Sequence, residues 1–174
     1  AGGGEAHGVI VAPAFTRRSG GRGPRRDGRA VPPKVSAVPT VFAAPDELLD
    51  AVGADLGSSD WVLVSQERVD QFSEATWTTQ WIHEPGPRAD AGPFGGPISH
   101  GYLTLSMVNE MLPQIVEVRG ASMGVNYGTG RVRFPAPVPV GSQVRAGVEL
   151  VAVEDIPGGI QTTMVITVQR RAAD

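Results

Sequence analysis

The chain has 174 residues, which is about the length of one domain, and its net charge at pH 7 is −3. It contains no cysteine, which excludes disulfides, thiolate zinc sites and a cysteine nucleophile and fits a cytoplasmic protein. No run of about 18 apolar residues is present, so the sequence predicts no membrane-spanning helix.

The first 38 residues are predicted to form a disordered tail. Thirteen of the first forty residues are glycine or proline, and six arginines and one lysine outnumber Glu5 and Asp27. Only Val9–Val11 has the composition of a short strand. An Arg-rich RNA-binding or targeting segment is the alternative interpretation. Residues 41–174 carry sixteen acidic and eight basic residues, so no nucleic acid is expected on the folded domain, which is predicted to span residues 39–174.

The folded domain is predicted to begin with a helix and a short strand. Pro45-Asp46-Glu47 is typical of a helix start, since proline suits the first turn and acidic side chains favour the positive end of the helix dipole. Apolar residues on one face extend this helix to about Leu56, and Gly57 ends it. The residues Trp61–Val64 are predicted to form a strand.

Two further helices are predicted. Ser65 is placed to cap one of them, whose apolar side carries Val69 and Phe72. The other runs from about His100 to Leu112 and is apolar on nearly all sides, which is typical of a buried helix. Pro113 is expected to end or kink it.

The remaining residues are predicted to form an antiparallel sheet. Ser122–Tyr127 and Arg131–Phe134 alternate between apolar and polar side chains. Val144–Val153 and Ile160–Gln169 alternate in the same way around a turn at Pro157-Gly158-Gly159, which predicts a hairpin. One buried helix followed by these strands indicates an α+β domain in which an antiparallel sheet wraps around a central helix.

Four separated segments, between about Pro39 and Val168, carry a resemblance to a known family. They read DWVLVSQERVDQFSEAT, QWIHEPGPRADAGPFGGPISHGYLTLS, GVNYGTGRVRFPAPVPVGSQVRAGVEL and GGIQTTMVITV. In this order they resemble the MaoC-like dehydratase family, the (R)-specific enoyl-CoA hydratase group with the hot-dog fold. The resemblance implies a single hot-dog domain that forms a homodimer and binds an acyl thioester of coenzyme A or acyl carrier protein. It also implies addition or removal of water at the C2=C3 bond.

The resemblance implies catalytic positions as well. Family members carry an aspartate and, five residues later, a histidine as the acid/base pair, and a backbone N–H at the start of the central helix binds the thioester oxygen. The histidine falls on His83 and the helix-start amide on Gly101. The aspartate position is occupied by Thr78, and Trp77 stands where members commonly have glycine. Threonine exchanges no proton at neutral pH, and loss of one general acid/base typically lowers a rate by about 10²–10⁴-fold.

These substitutions leave several hypotheses open. His83 can act alone or with help from Glu74 or Glu84. The pocket can instead serve a natural-product tailoring reaction, such as a cyclisation or isomerisation of a polyketide-like chain. Acyl binding without catalysis is the third hypothesis.

The remaining predictions concern the pocket lining and the partners. His100 is interpreted chiefly as a helix cap and Trp81 as a core residue, but both are kept among the candidate substrate-binding residues, which are Trp77, Trp81, Phe94, Gly95, His100 and Tyr102. Arg131 and Arg133 either contact carrier phosphates or form a solvated face. No cofactor and no metal are predicted. Family members usually continue beyond the final hairpin with one more strand, so either an open sheet edge after Val168 or an altered dimer is expected.

Overall fold

The computed structural model describes residues 7–17 and 38–172. Within these ranges the strands are β1 (His7–Arg17), β2 (Thr40–Phe42), β3 (Asp55–Ser58), β4 (Val62–Leu63), β5 (Val116–Val118), β6 (Ala121–Val132), β7 (Gln143–Ile156) and β8 (Gly159–Arg171). The helices are α1 (Gln66–Thr76), α2 (Pro87–Asp90) and α3 (Gly101–Ile115), and 3₁₀ segments occupy Pro45–Ala51 and Trp81–His83. None of the helices in the described ranges is long and apolar enough to cross a membrane.

The main sheet is antiparallel and packs against α3. Its strand order is β3-β7-β8-β1-β6, and β4 pairs with β7. The predicted hairpin is confirmed as β7 and β8. Alternate residues of this hairpin, such as Leu150 and Met164, are fully buried, and they share one core with Met107, Met111 and Ile115 of α3. This arrangement of a sheet around a central helix confirms the predicted α+β hot-dog fold.

Strand β1 departs from the predicted disordered tail. His7–Arg17 lies between β8 and β6 and pairs antiparallel with both, so the second edge of β8 is occupied over this length. The expected open edge after Val168 is therefore wrong, since His7 pairs with that residue. Residues 1–6 and 18–37, which the tail prediction also covers, lie outside the described residues.

The first predicted helix is shorter than expected. The 3₁₀ segment Pro45–Ala51 replaces it, because the chain turns at Gly53, which has a φ of +86° and donates its N–H to Leu150 O at 2.7 Å. Leu56, expected at the helix end, is instead a buried residue of β3. The positive φ at Gly53 turns the chain away after Ala51, and of the two leucines in the segment only Leu48 is buried.

The other two helix predictions have mixed outcomes. Ser65 caps α1 as expected, and its Oγ accepts a hydrogen bond from Arg68 N. Pro113 lies inside α3 instead of ending it, and the helix continues to Ile115. The expectation of a helix that is apolar on nearly all sides and buried is met on only part of α3, since Tyr102 is 70% exposed.

Candidate active site

The turn that follows α1 has a backbone conformation suited to glycine. Trp77 caps the C-terminus of α1 with φ +55° and ψ +33°, in the left-handed region. The Thr78 N–H then donates to Ser73 O at 3.0 Å, which closes the end of the helix. Glycine is the usual residue in such a C-cap because a Cβ is strained there. Packing of the indole does little to offset this strain, because Trp77 is 90% exposed.

A chain of hydrogen bonds fixes the role of the Thr78 hydroxyl. The Thr76 hydroxyl donates to Phe72 O at 2.6 Å, so its single proton is used. Thr78 Oγ1 lies 3.0 Å from Thr76 Oγ1 and must therefore donate to it. The lone pairs of Thr78 remain available. At this position the site can thus accept a hydrogen bond from a water molecule but cannot exchange a proton.

His83 is the last residue of the 3₁₀ segment Trp81–His83 and is buried. Its Nδ1 lies 2.8 Å from Ile98 O. A carbonyl oxygen only accepts hydrogen bonds, so a neutral His83 carries its proton on Nδ1 and has a lone pair on Nε2. Gln66 of α1 donates to the His83 carbonyl at 2.9 Å and ties this turn to the helix. The geometry leaves His83 Nε2 as a proton acceptor.

His100 packs directly on this ring. The two imidazole centroids are 3.6 Å apart and the planes differ by 26°. His100 Nε2 shares a hydrogen bond of 3.2 Å with Ser73 Oγ, and the Phe72 ring lies 5.0 Å away. Burial, and then the nearby charge of His83, lower the pKa of His100. The buried His100 is therefore neutral at neutral pH.

The N-terminus of α3 faces an apolar cavity. His100 is the N-cap residue and makes no side-chain cap, and the first helical hydrogen bond runs from Thr104 N to His100 O. Gly101 lines a cavity of about 270 Å³ together with Phe94, Ile98, Phe134 and other residues. A Cβ on Gly101 would lie 2.9 Å from the Phe134 ring, so only glycine permits this approach. The free N–H groups of the first helical turn favour negative charge at this position.

A second, more open groove lies beside α1 and the turn that follows it. It has a volume of about 640 Å³ and is lined by Asp70, Ser73, Glu74, Trp77, Thr78, Thr79 and Glu84. His83 itself lines neither space, but its ring bonds to the carbonyl of Ile98, which lines the cavity, and the next residue in the chain, Glu84, lines the groove. In the part of the chain that the structure describes, no cluster of three or more His, Asp or Glu residues could hold a metal ion.

The structure brings some of the predicted substrate-binding residues together and not others. Phe94 lines the cavity, and Gly95 follows it at φ +70°. Tyr102 is exposed and meets Phe134 edge-on at 6.0 Å. Trp81 lines neither space, because its ring packs against Gly92 and lies under the Arg88 guanidinium at 4.7 Å. Trp77 lines the groove, whereas His100 lines neither space and stacks on His83.

Sequence reasoning did not identify Ser73 or the Ile98 carbonyl as parts of the site. In the sequence, nothing distinguishes Ser73 from the other polar residues of α1, and a backbone oxygen carries no sequence signal. Their roles follow only from the positions of the two histidine rings.

Comparison with known proteins identifies close relatives. The MaoC like domain family matches residues 47–171. The chain is 47% identical over 129 residues to 3-hydroxyacyl-thioester dehydratase Z of Mycobacterium tuberculosis, which covers 74% of this chain and 85% of the relative. It is 46% identical over 96 residues to nodulation protein N of Rhizobium leguminosarum bv. viciae, covering 54% of this chain and 60% of the relative.

A solved structure supports the fold. The monoamine oxidase regulatory protein from Archaeoglobus superposes with a TM-score of 0.58 at 19% identity, over 78% of this chain and 99% of its own. The family match spans most of the chain, and the identity to the mycobacterial relative extends over most of both proteins. The chain therefore belongs to the MaoC-like dehydratase family.

Proposed function

We propose that this domain is a lyase that adds water to, or removes it from, the C2=C3 bond of an acyl thioester, with His83 as its acid/base. The observation that carries the proposal is the hydrogen bond from His83 Nδ1 to Ile98 O, because it leaves Nε2 free to take a proton. The start of α3 lies beside this turn and supplies N–H groups for the thioester oxygen. The name of the mycobacterial relative, a 3-hydroxyacyl-thioester dehydratase, supports the same substrate class.

One histidine suffices for a balanced reaction. In hydration, His83 Nε2 takes one proton from water while the oxygen bonds to C3. The electron pair of the double bond moves toward the thioester carbonyl, whose oxygen gains enolate charge near the Gly101 amide. Protonated His83 then delivers its proton to C2, and the second proton of water remains on the new hydroxyl. Dehydration follows the same steps in reverse.

Thr78 makes this enzyme slower than a site with two proton-transfer groups. Its hydroxyl can orient the attacking water, since its proton is already donated to Thr76. The absence of a second acid/base typically lowers turnover by about 10²–10⁴-fold. The family relationship does not favour a cyclase, an isomerase or a non-catalytic acyl-binding protein over hydration or dehydration.

The experiment is a turnover assay with purified protein. Crotonyl-CoA is mixed with the wild type, and loss of the conjugated absorbance reports hydration. The wild type is expected to turn over, and His83→Gln is expected to lose at least about 10²-fold in kcat. Leu63→Gln, at an exposed strand position outside the site, serves as the control. Activity that survives in His83→Gln would remove the proposed acid/base.

We further propose a homodimer formed through β6. This strand lies at the end of the sheet, so one of its edges is unpaired within the residues that the structure describes. The apolar and aromatic side chains exposed on it and beside it include Met123, Val125, Tyr127 and Phe134. Exposed apolar groups along an unpaired strand edge favour pairing with another chain.

A cytoplasmic location remains a prediction that cell fractionation tests.

Arg133 is the candidate contact for the carrier. It lines the cavity beside Gly101, and its guanidinium donates to the neighbouring Val132 O at 2.9 Å. An exposed arginine at this mouth suits the phosphates of coenzyme A or of a phosphopantetheine arm.

A further inference from the structure

Two contacts restrain the orientation of the buried His83 ring. One is the hydrogen bond from Nδ1 to Ile98 O, which fixes a single atom of the ring. A hydrogen bond at one atom leaves the ring free to tilt about it. The second restraint is the face of His100, which lies 3.6 Å away and nearly parallel. The plane of His83, and with it the direction of Nε2, therefore depends on where His100 is held.

His100 is held from two helices. Its backbone begins α3, where its carbonyl accepts hydrogen bonds from the N–H and the hydroxyl of Thr104. Its ring is fixed by α1, through the hydrogen bond between Nε2 and Ser73 Oγ and through contact with Phe72. His83 thus stacks on a surface that is tied to both elements around the site.

Ring packing alone does not account for a histidine at this position. His100 Nδ1 is buried, and among the described side chains, those of Phe15 and residues 38–172, it is the one such nitrogen or oxygen without a hydrogen-bond partner. Leaving a desolvated polar atom unpaired destabilises a fold. A phenylalanine could stack on His83 without this penalty, but it could not bond to Ser73. The nitrogen that distinguishes the two side chains here is Nε2.

We propose that His100 is a positioning residue for His83, anchored by Ser73. The inference rests on the proposed function of His83. His100 sets the plane of the His83 ring so that Nε2 meets the thioester at a fixed angle. The Ser73 hydroxyl fixes the orientation of the His100 ring through its hydrogen bond to Nε2. Because the angle of proton transfer matters only while the reaction proceeds, loss of this anchor lowers kcat more than it raises KM.

The test compares variants of Ser73 and His100 in the full chain. Ser73→Ala and His100→Phe are expected to lower kcat for crotonyl-CoA hydration by about 10- to 100-fold with little change in KM. Ser73→Thr keeps the hydroxyl and is expected to recover most of the activity. Ser106→Ala, which removes a helix hydroxyl that only bonds Tyr102 O, is the matched control. Equal kcat in Ser73→Ala, Ser73→Thr and the wild type would overturn the proposal.

A second measurement separates this proposal from the function on which it rests. Two-bond ¹H–¹⁵N NMR spectra report the tautomer and mobility of the His83 ring without any turnover. The wild type is expected to show a single Nδ1–H tautomer with sharp signals, and Ser73→Ala is expected to show broadened or averaged ones. If the wild type fails to hydrate crotonyl-CoA but these spectra change as expected, the proposed function fails and the positioning role stands. Unchanged His83 signals in both Ser73→Ala and His100→Phe would refute the positioning role.

Discussion

The imidazole rings of His83 and His100 stack 3.6 Å apart in a buried site, although one residue ends a 3₁₀ turn and the other begins a long helix. A proton on His100 would place a charge in a desolvated position against the ring that is proposed to carry one during the reaction. Burial and the charge of His83 accordingly lower the pKa of His100. The folded protein therefore binds a proton on His100 less readily than the unfolded chain does.

This shift predicts that acid destabilises the fold through His100. Since the folded pKa is lowered, the stabilisation is complete above the unfolded value of about 6.5 and is lost as the pH falls through the folded value. The free energy of unfolding in urea should therefore drop in the wild type as the pH is lowered below about 6.5. The drop should be smaller in His100→Phe, which has no group to protonate there. An equal drop in the two proteins would contradict the prediction.

Trp77 predicts a stabilising substitution. Its left-handed backbone strains any residue with a Cβ by about 1–2 kcal/mol, and its indole is almost wholly exposed. Trp77→Gly should therefore raise the free energy of unfolding by about 1 kcal/mol. Trp77→Ala removes the same exposed ring but keeps the Cβ, so it isolates the backbone effect. Chemical denaturation that gave the same value for Gly and Ala would show that φ is not the cause.

The position of β1 predicts that the N-terminal residues are needed for stability. His7–Arg17 pairs along both β8 and β6, so its removal exposes two strand edges inside the sheet. A chain lacking residues 1–17 should lose its cooperative thermal transition or aggregate. A chain lacking only residues 1–6 keeps β1 and is the control. If the chain lacking residues 1–17 showed the same thermal transition as the wild type, the sheet would be stable without this strand.

Much of this architecture is predictable because it depends on local patterns. The Ser65 cap, the alternation in Val144–Val153 and the start of α3 each follow from residues near in sequence. Of strand β1 only Val9–Val11 is visible in the sequence, because Pro13 lacks an N–H and interrupts the pattern. In the structure a register shift between Ala12 and Pro13 accommodates it.

The site shows the same division between local and tertiary information. The positions of His83, Thr78 and Gly101 follow from a family resemblance carried by short segments. The stack of His100 on His83 and the bond from Ser73 do not, because they join three elements that only tertiary packing brings together. The exposure of one side of α3 was also missed, since periodicity reports how apolar a face is and not what covers it.

The position of β6 at the end of the described sheet predicts a dimer that a single charge disrupts. Tyr127 is 72% exposed near the middle of this strand. Tyr127→Arg places a charge where the second chain is proposed to pack, so light scattering coupled to gel filtration should show a monomer. Leu49→Arg, at an exposed apolar residue of the 3₁₀ segment, should leave the dimer intact. A wild type that elutes as a monomer would refute the dimer itself.

The identity of residue 78 gives the sharpest prediction about catalysis. Thr78→Asp places a carboxylate in a groove that already holds Glu74 and Glu84, and nearby like charges raise the pKa of such a carboxyl toward the range useful for proton transfer. The substitution should raise kcat for crotonyl-CoA by about 10²-fold or more. Adding Trp77→Gly should raise it further, because a relaxed turn lets the carboxylate adopt its preferred position. Thr79→Asp adds the same charge one residue later in the same groove and should leave kcat near the wild-type value. If Thr78→Asp and Thr79→Asp behave alike, the gain comes from charge in the groove and not from a proton-transfer group at residue 78.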